Sequence, residues 1–183
     1  MRIDAEYLED EELYETVVQG GIGGASRSLD LSTANLKSML VEYPPDLGEY
    51  ISLPQLLMRK AGAGVRVRLL HAGVPSERFL EEMRDCEVWR HPDFTMRRCP
   101  RVHLKMAVVD GRAAYLGSAN LTGAGLGAKG ETRRNFESGI WTESPELVAR
   151  LARFFESIWN GALCDGCGRQ KHCPAPLEEP DFS

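Results

Sequence analysis

Hydrophobic and polar residues follow two different periods along this chain of 183 residues. Some stretches alternate apolar and polar positions or form short apolar runs, which is typical of β-strands, and others repeat apolar residues at helical spacing. The predicted strands lie at 28–36, 65–73, 86–91, 102–109 and 135–141. The predicted helices lie at 7–18, 52–64, 75–84 and 144–160.

The order of these elements predicts the fold class. Helices alternate with strands, which favours an α/β fold with a mixed β-sheet flanked by helices on both faces. The length suits one domain, and we assign residues 1–160 to it and 161–183 to a cysteine-rich tail packed against it. The glycine run GGIGG at 20–24 lacks the ending of a phosphate-binding loop, so we interpret it as a flexible connection from helix to strand.

A polar hairpin interrupts this apolar pattern at 101–120. The dipeptide Asp110-Gly111 predicts a two-residue turn in which Val109 pairs with Arg112. That register places Ser118 opposite His103, and cross-strand partners share a face of the sheet. The polar side chains expected on this one face are His103, Lys105, Ser118 and Asn120. A three-residue turn would break this parity.

These four side chains form a coherent set for holding a phosphate group. A lysine supplies positive charge, a serine hydroxyl and an asparagine amide donate hydrogen bonds, and a histidine can act as nucleophile or acid near neutral pH. A solvent-facing hairpin that carries polar residues by chance is the alternative interpretation.

The same stretch resembles the signature of the phospholipase D superfamily. HLKMAVVD followed by GSAN matches His-x-Lys-x4-Asp-x6-Gly-Ser-x-Asn, and the similarity in element order extends over residues 5–160. The resemblance implies a phosphodiesterase fold in which His103 forms a covalent phosphohistidine, with no metal needed for catalysis. It also implies roles for the remaining residues: Lys105, Asn120 and Ser118 would bind the phosphate oxygens, Glu137 would orient the histidine, and Asp110 matches the motif aspartate. The residues themselves favour a structural role for Asp110, because it lies in the turn.

The motif occurs once in this chain, whereas many members of the superfamily carry it twice. One histidine cannot serve at the same moment as the nucleophile and as the acid that protonates the leaving oxygen. The resemblance therefore implies a homodimer in which His103 of each chain faces the other.

Arginines near the motif suggest the substrate. Arg101, Arg133 and Arg134 could form a basic rim for a polyanion, which favours a nuclease acting on DNA or RNA. A phospholipase or phosphatidyltransferase acting on phospholipids is one alternative, and a non-catalytic nucleic-acid-binding module of the same fold is another. The net charge of −5 means that any binding to nucleic acid would have to use a local basic patch. The absence of a membrane-spanning apolar run and the acidic start predict a cytoplasmic protein with no membrane partner.

The tail carries a candidate metal site. Cys164, Cys167 and Cys173 have spacing typical of thiolate ligands, and Cys99 is the expected fourth ligand, with Cys86 and His172 as alternatives. A structural Zn²⁺ is the expected metal. A [4Fe–4S] cluster or free thiols remain open.

Overall fold

A seven-stranded mixed β-sheet forms the centre of the protein. The computed structural model describes residues 3–173. The strand order is β1-β9-β8-β7-β2-β5-β6. The strands span β1 (Glu6–Glu9), β2 (Ser28–Thr33), β5 (Arg66–His71), β6 (Phe94–Arg98), β7 (Met106–Val109), β8 (Ala113–Gly117) and β9 (Ser138–Thr142). A separate two-stranded sheet consists of β3 (Leu40–Glu42) and β4 (Tyr50–Ser52).

Helices cover both faces of the sheet, which confirms the predicted fold class. One face packs against a π-helix at Leu13–Gly23 and against α1 (Leu53–Gly62) and α2 (Glu77–Cys86). The other face packs against α3 (Pro145–Trp159), whose buried stripe includes Val148, Leu151 and Phe155. Because the sheet is covered on both sides, β2 is buried along nearly its whole length.

Capping residues determine where two of the helices begin. Ser52 accepts a hydrogen bond from the backbone N–H of Gln55, and the Gln55 side chain accepts one from the backbone N–H of Ser52 at 2.9 Å. Ser76 accepts a hydrogen bond from the backbone N–H of Phe79 at the start of α2. The predicted helices at 52–64 and 75–84 are confirmed.

Three predicted elements are wrong. The first four residues of the GGIGG run, Gly20–Gly23, belong to the π-helix, because its glycines allow close packing: a Cβ on Gly21 would lie 3.0 Å from the Trp141 ring. The predicted strand at 86–91 is instead the end of α2 and a 3₁₀ turn at Val88–Arg90, and the strand forms later, as β6. The predicted helix at 7–18 begins only at Leu13, because β1 precedes it and pairs with β9.

The register of the β7–β8 hairpin also differs from the prediction by one residue. Asp110 and Gly111 both have positive φ angles, 55° and 65°, and the Arg112 N–H donates to the Val109 carbonyl at 2.9 Å, so the expected turn forms. Arg112 is nevertheless an extra residue, and Val109 pairs with Ala113. This shift places the Tyr115 ring in the larger core together with Ala107 and Val109. The prediction that the four polar residues share one strand face is therefore wrong.

Candidate active site

One edge of the sheet brings the polar residues together. β7 and β9 begin at this edge, and β2 and β8 end at it. Lys105 and Ser118 lie just outside the paired strands, where the backbone N–H of Gly117 still donates to the Lys105 carbonyl at 3.2 Å. The motif residues other than Asp110 flank the same edge, so a shared strand face is not required to bring them together.

Lys105 and His103 form the centre of the site. The Lys105 side chain is buried, with 8% of the residue exposed, while His103 is exposed. The Lys105 Nζ lies 3.0 Å from Nδ1 and 3.1 Å from Nε2 of the His103 ring, and it donates to the His103 carbonyl at 3.0 Å. Burial lowers the pKa of Lys105, and the charge of Glu137 partly offsets this effect.

Glu137 is held beside this pair by hydrogen bonds. The Ser118 hydroxyl donates to one carboxylate oxygen, and the Asn135 amide donates to the other at 3.1 Å. The backbone N–H of Ser138 in turn donates to the Ser118 Oγ at 3.1 Å. These contacts fix a negative charge at the edge of the sheet close enough to Lys105 to act on its pKa.

Asn120 is oriented by the turn that follows β2. Its Oδ1 accepts three hydrogen bonds, from the Thr33 hydroxyl and from the backbone N–H groups of Ala34 and Asn35, at 3.1–3.2 Å. Because these donors occupy the oxygen, the amide nitrogen is the part of the side chain that is left to donate to a substrate.

Asp110 lies at the opposite end of β7 from His103. Its carboxylate accepts hydrogen bonds from the backbone N–H groups of Ser26, Arg27 and Ser28, at 2.7–3.1 Å, and from the Ser26 hydroxyl. Burial raises the pKa of Asp110, but these hydrogen bonds outweigh burial and lower it to about 2. The structure thus places the motif aspartate where it holds the start of β2, away from the other motif residues.

The three arginines of the expected rim lie in different surroundings. Arg134 is partly buried, and both terminal nitrogens of its guanidinium lie 3.3 Å from Glu11. Arg133 is exposed on a 3₁₀ turn at Glu131–Arg133. Arg101 is exposed and hydrogen-bonds to the sulfur of Cys167. The structure therefore does not gather the three into one continuous basic surface.

The cysteines of the tail share a cavity with residues of the segment that leads into β7. A cavity of about 380 Å³ is lined by Cys99, His103 and all three tail cysteines, Cys164, Cys167 and Cys173. Hydrogen bonds from the Arg169 backbone N–H and the Arg101 guanidinium lower the pKa of the Cys167 thiol. The fifth cysteine, Cys86, ends α2, and burial raises the pKa of its thiol.

Residues 3–173 contain no group of three or more His, Cys, Asp or Glu side chains already drawn together to hold a metal ion. His172, an alternative ligand in the sequence analysis, is exposed on the turn at Gln170–His172 and does not line the cavity. Part of the predicted tail, residues 174–183, lies outside the described residues.

Three residues that the sequence analysis overlooked belong to this edge. Asn135 donates to Glu137, and Thr33 donates to Asn120. Phe136 precedes Glu137 and is fully exposed, which is unusual for a phenylalanine. The sequence analysis placed Phe136 inside a predicted strand at 135–141, whereas β9 begins only at Ser138.

Fold and site together define a member of the PLD-like phosphodiesterase superfamily. The family model described as "Cardiolipin synthase, PLD-like domain" matches residues 22–159, so the chain belongs to this family. No protein with a curated description matches the sequence.

Solved structures show the same fold. Nuc, a phospholipase D family member from Salmonella typhimurium, superimposes with a TM-score of 0.61 at 17% identity, over 87% of this chain and 95% of Nuc. NucT from Helicobacter pylori gives a TM-score of 0.59 at 12% identity, over 85% of this chain and 95% of NucT. The archaeal chromatin protein TrmBL2, whose structure shows a mode of DNA binding, gives 0.53 at 12% identity, over 85% of this chain and 52% of TrmBL2.

No helix within residues 3–173 combines the length and apolar character needed to cross a bilayer.

Proposed function

We propose that this protein is a nuclease that cleaves phosphodiester bonds of nucleic acids through a phosphohistidine at His103. The observation that carries the proposal is the contact between an exposed imidazole and a buried ammonium, in which the Lys105 Nζ lies 3.0–3.1 Å from the ring nitrogens of His103. A buried lysine is costly unless it is paired or functional, and an anionic phosphate beside His103 would give its charge a partner.

The first chemical step forms one bond and breaks one. A ring nitrogen of His103 attacks the phosphorus, a P–N bond forms, and the P–O bond to the leaving oxygen breaks. Lys105 and the amide nitrogen of Asn120 stabilise the negative charge that grows on the non-bridging oxygens. Water then attacks the phosphorus and gives a proton to the group that protonated the leaving oxygen, the P–N bond breaks, and His103 is regenerated.

The leaving oxygen needs a proton, and we assign that proton to His103 of a second copy of the chain. His103 is exposed and lies just before the start of β7, at the edge of the sheet, a position that another subunit can approach. A two-fold axis at this edge would place the two histidines on opposite sides of one phosphate. The proposed enzyme is therefore a homodimer with a shared site.

Two exposed side chains favour nucleic acid as the substrate. Phe136 is fully exposed directly beside Glu137 and offers a flat apolar surface on which a base can stack. Arg101 is exposed two residues before His103, where its charge can contact a phosphate of the backbone. Glu11, Glu131 and Phe136 line one cavity, so we expect a base to stack on Phe136 while the phosphates of the strand lie on the Arg101 side, away from these carboxylates.

The test is a panel of single- and double-stranded DNA, RNA and phospholipid vesicles, each incubated with EDTA. We expect turnover of a nucleic acid in EDTA, loss of turnover in His103→Ala, and full turnover in the control His91→Ala, which removes a histidine outside the site. Phe136→Ala should raise KM for single-stranded substrate several-fold, and Phe136→Tyr should restore it. Turnover of phospholipid alone, or a nuclease activity that survives His103→Ala, would contradict the proposal.

A further inference from the structure

Four of the five cysteines line one cavity between the tail and the body of the domain. Cys99 follows β6 on the body, and Cys164, Cys167 and Cys173 lie on the tail. Cys86, at the end of α2, is outside this set. The four come from two segments far apart in sequence, so their shared cavity is a result of folding.

The tail backbone is already shaped for thiolate ligation. Cys164 and Cys167 are joined by a turn in which the Cys167 N–H donates to the Cys164 carbonyl at 3.1 Å, and Gly166 within this turn has a φ of +67° that favours glycine. The Gln170 side chain donates to the same carbonyl at 3.3 Å. A tight Cys-x-x-Cys turn directs two sulfurs to one point, which is how such pairs bind zinc.

An independent contact ties the tail beside Cys99. The Arg169 guanidinium donates to the carbonyl of Pro100 at 2.9 Å, and Pro100 is the residue directly after Cys99. The charges also match a thiolate cluster, because Arg101 and Arg169 line the same cavity as the four cysteines. Four thiolates around one Zn²⁺ carry a net charge of −2, and two arginines stand next to them.

We propose that Cys99, Cys164, Cys167 and Cys173 bind one Zn²⁺ as a four-thiolate structural site. Binding converts four thiols to thiolates and releases their four protons to solvent, with no oxidation or reduction. Zinc suits four sulfur ligands in tetrahedral geometry. The proposal does not depend on the proposed nuclease activity.

Zinc binding requires the cavity to close. Residues 3–173 contain no group of three or more His, Cys, Asp or Glu side chains already arranged to hold a metal ion, so the four cysteines must come closer together when the ion binds. The cavity of about 380 Å³ provides the space for this movement. Because His103 lines the same cavity four residues after Cys99, zinc binding would also fix the segment that carries the proposed nucleophile.

The test measures zinc in the full chain purified without a metal-affinity tag. Wild type and the matched control Cys86→Ser should each contain about one zinc per chain by mass spectrometry. The single variants Cys99→Ser, Cys164→Ser and Cys173→Ser should each lose most of it. Replacing zinc with Co²⁺ should give the thiolate-to-cobalt charge-transfer band in wild type and in Cys86→Ser, and not in Cys164→Ser.

Limited trypsin digestion provides a second measurement that does not depend on activity. Arg169 and Lys171 are exposed cleavage sites within the tail. We expect the zinc-loaded protein to resist cleavage there at least ten-fold longer than protein stripped of zinc. The proposal is overturned if wild type carries less than a tenth of an equivalent of zinc, if iron with visible absorption takes its place, or if Cys99→Ser keeps full zinc content.

Discussion

The burial of Lys105 indicates the kind of ligand that the site binds. Lys105 is buried, its ammonium contacts the ring and the carbonyl of His103, and it interacts electrostatically with Glu137. Burial disfavours the charged form of Lys105, and a nearby anion would stabilise it. A phosphate bound beside His103 would supply that anion.

The activity should therefore fall at alkaline pH as Lys105 loses its proton. The pKa of Lys105 lies below its ordinary value, chiefly because of burial, so we expect the kcat/KM profile to show an alkaline limb due to Lys105, separate from that of the group that protonates the leaving oxygen, below the pKa of a free lysine, about 10.4. Lys105→Arg should move that limb to higher pH, because arginine keeps its charge. Lys105→Met should lower kcat/KM by about 10²-fold or more. An alkaline limb that stays in place in Lys105→Arg would contradict this role.

Asp110 illustrates the opposite case, a motif residue whose contacts are structural. Its depressed pKa means that the ionised carboxylate stabilises the folded state, and this contribution is present above the unfolded pKa of about 3.9 and lost as pH falls toward about 2. We expect Asp110→Asn to lower the free energy of unfolding by about 1–2 kcal/mol at pH 7, after allowance for solvent screening. Asparagine tolerates the positive φ at this position, so the change removes the charge and one accepting oxygen without straining the backbone.

Urea denaturation of wild type and Asp110→Asn at pH 7 and at pH 2.5 checks this prediction. The difference in stability should shrink at the lower pH, and kcat at pH 7 should stay within about two-fold of wild type. A large loss of kcat with unchanged stability would place Asp110 in the chemistry instead.

At the scale of elements, the close pairing of β8 and β9 holds Ser118 against Glu137. Gly117 and Gly139 are cross-strand partners at the end of this pair, and the Tyr115 ring lies over them. The Tyr115 oxygen also accepts a hydrogen bond from the Ala119 N–H at 3.3 Å, beside Ser118. The two glycines let the strands and the ring approach at the point where the site begins.

Gly117→Ala should therefore disturb both stability and activity. An added Cβ would lie 2.2 Å from the Tyr115 oxygen and 2.6 Å from the Ser138 carbonyl, so the strand ends must separate. We expect a loss of about 1–3 kcal/mol by chemical denaturation, together with a fall in kcat larger than unfolding explains. The control Gly62→Ala meets no atom within 4 Å and should be neutral or slightly stabilising. Equal effects of the two substitutions would refute the argument.

The elements also show what sequence can and cannot predict here. Periodicity and caps predict β2, α1, β5, α2 and α3, because each is amphipathic or buried in a regular way. The glycine-rich second half of the π-helix, Gly20–Gly23, escapes prediction because tertiary packing against Trp141 stabilises a glycine run that is locally unfavourable. β6 could have been predicted from its alternating pattern, because Phe94 and Met96 are buried and alternate with more exposed residues.

The motif spacing predicts a set of site residues but not their geometry. It predicts that His103, Lys105 and Asn120 are neighbours, yet the bulge at Arg112 changes the register from which a shared strand face was expected. The contacts of Asn120 with Ala34 and Asn35 join segments more than 80 residues apart in sequence, and no local pattern encodes them.

At the scale of the whole molecule, the proposed shared site predicts a dimer. Light scattering should give twice the 20.4 kDa mass of the chain, and specific activity should fall when the protein is diluted below the dimer dissociation constant. A monomeric mass with full activity would remove the second histidine from the mechanism.

The central claim is that His103 becomes covalently bound to phosphorus, and rapid trapping of the intermediate tests it most directly. Wild-type protein mixed with an oligonucleotide that carries ³²P at the scissile phosphate, in EDTA, is quenched in alkali within milliseconds to seconds and digested for mass spectrometry. We predict a phosphoramidate on the peptide that contains His103, stable in alkali and labile in acid, which is absent in His103→Ala together with turnover. Turnover by His103→Ala, or a label on a different residue, would contradict the account.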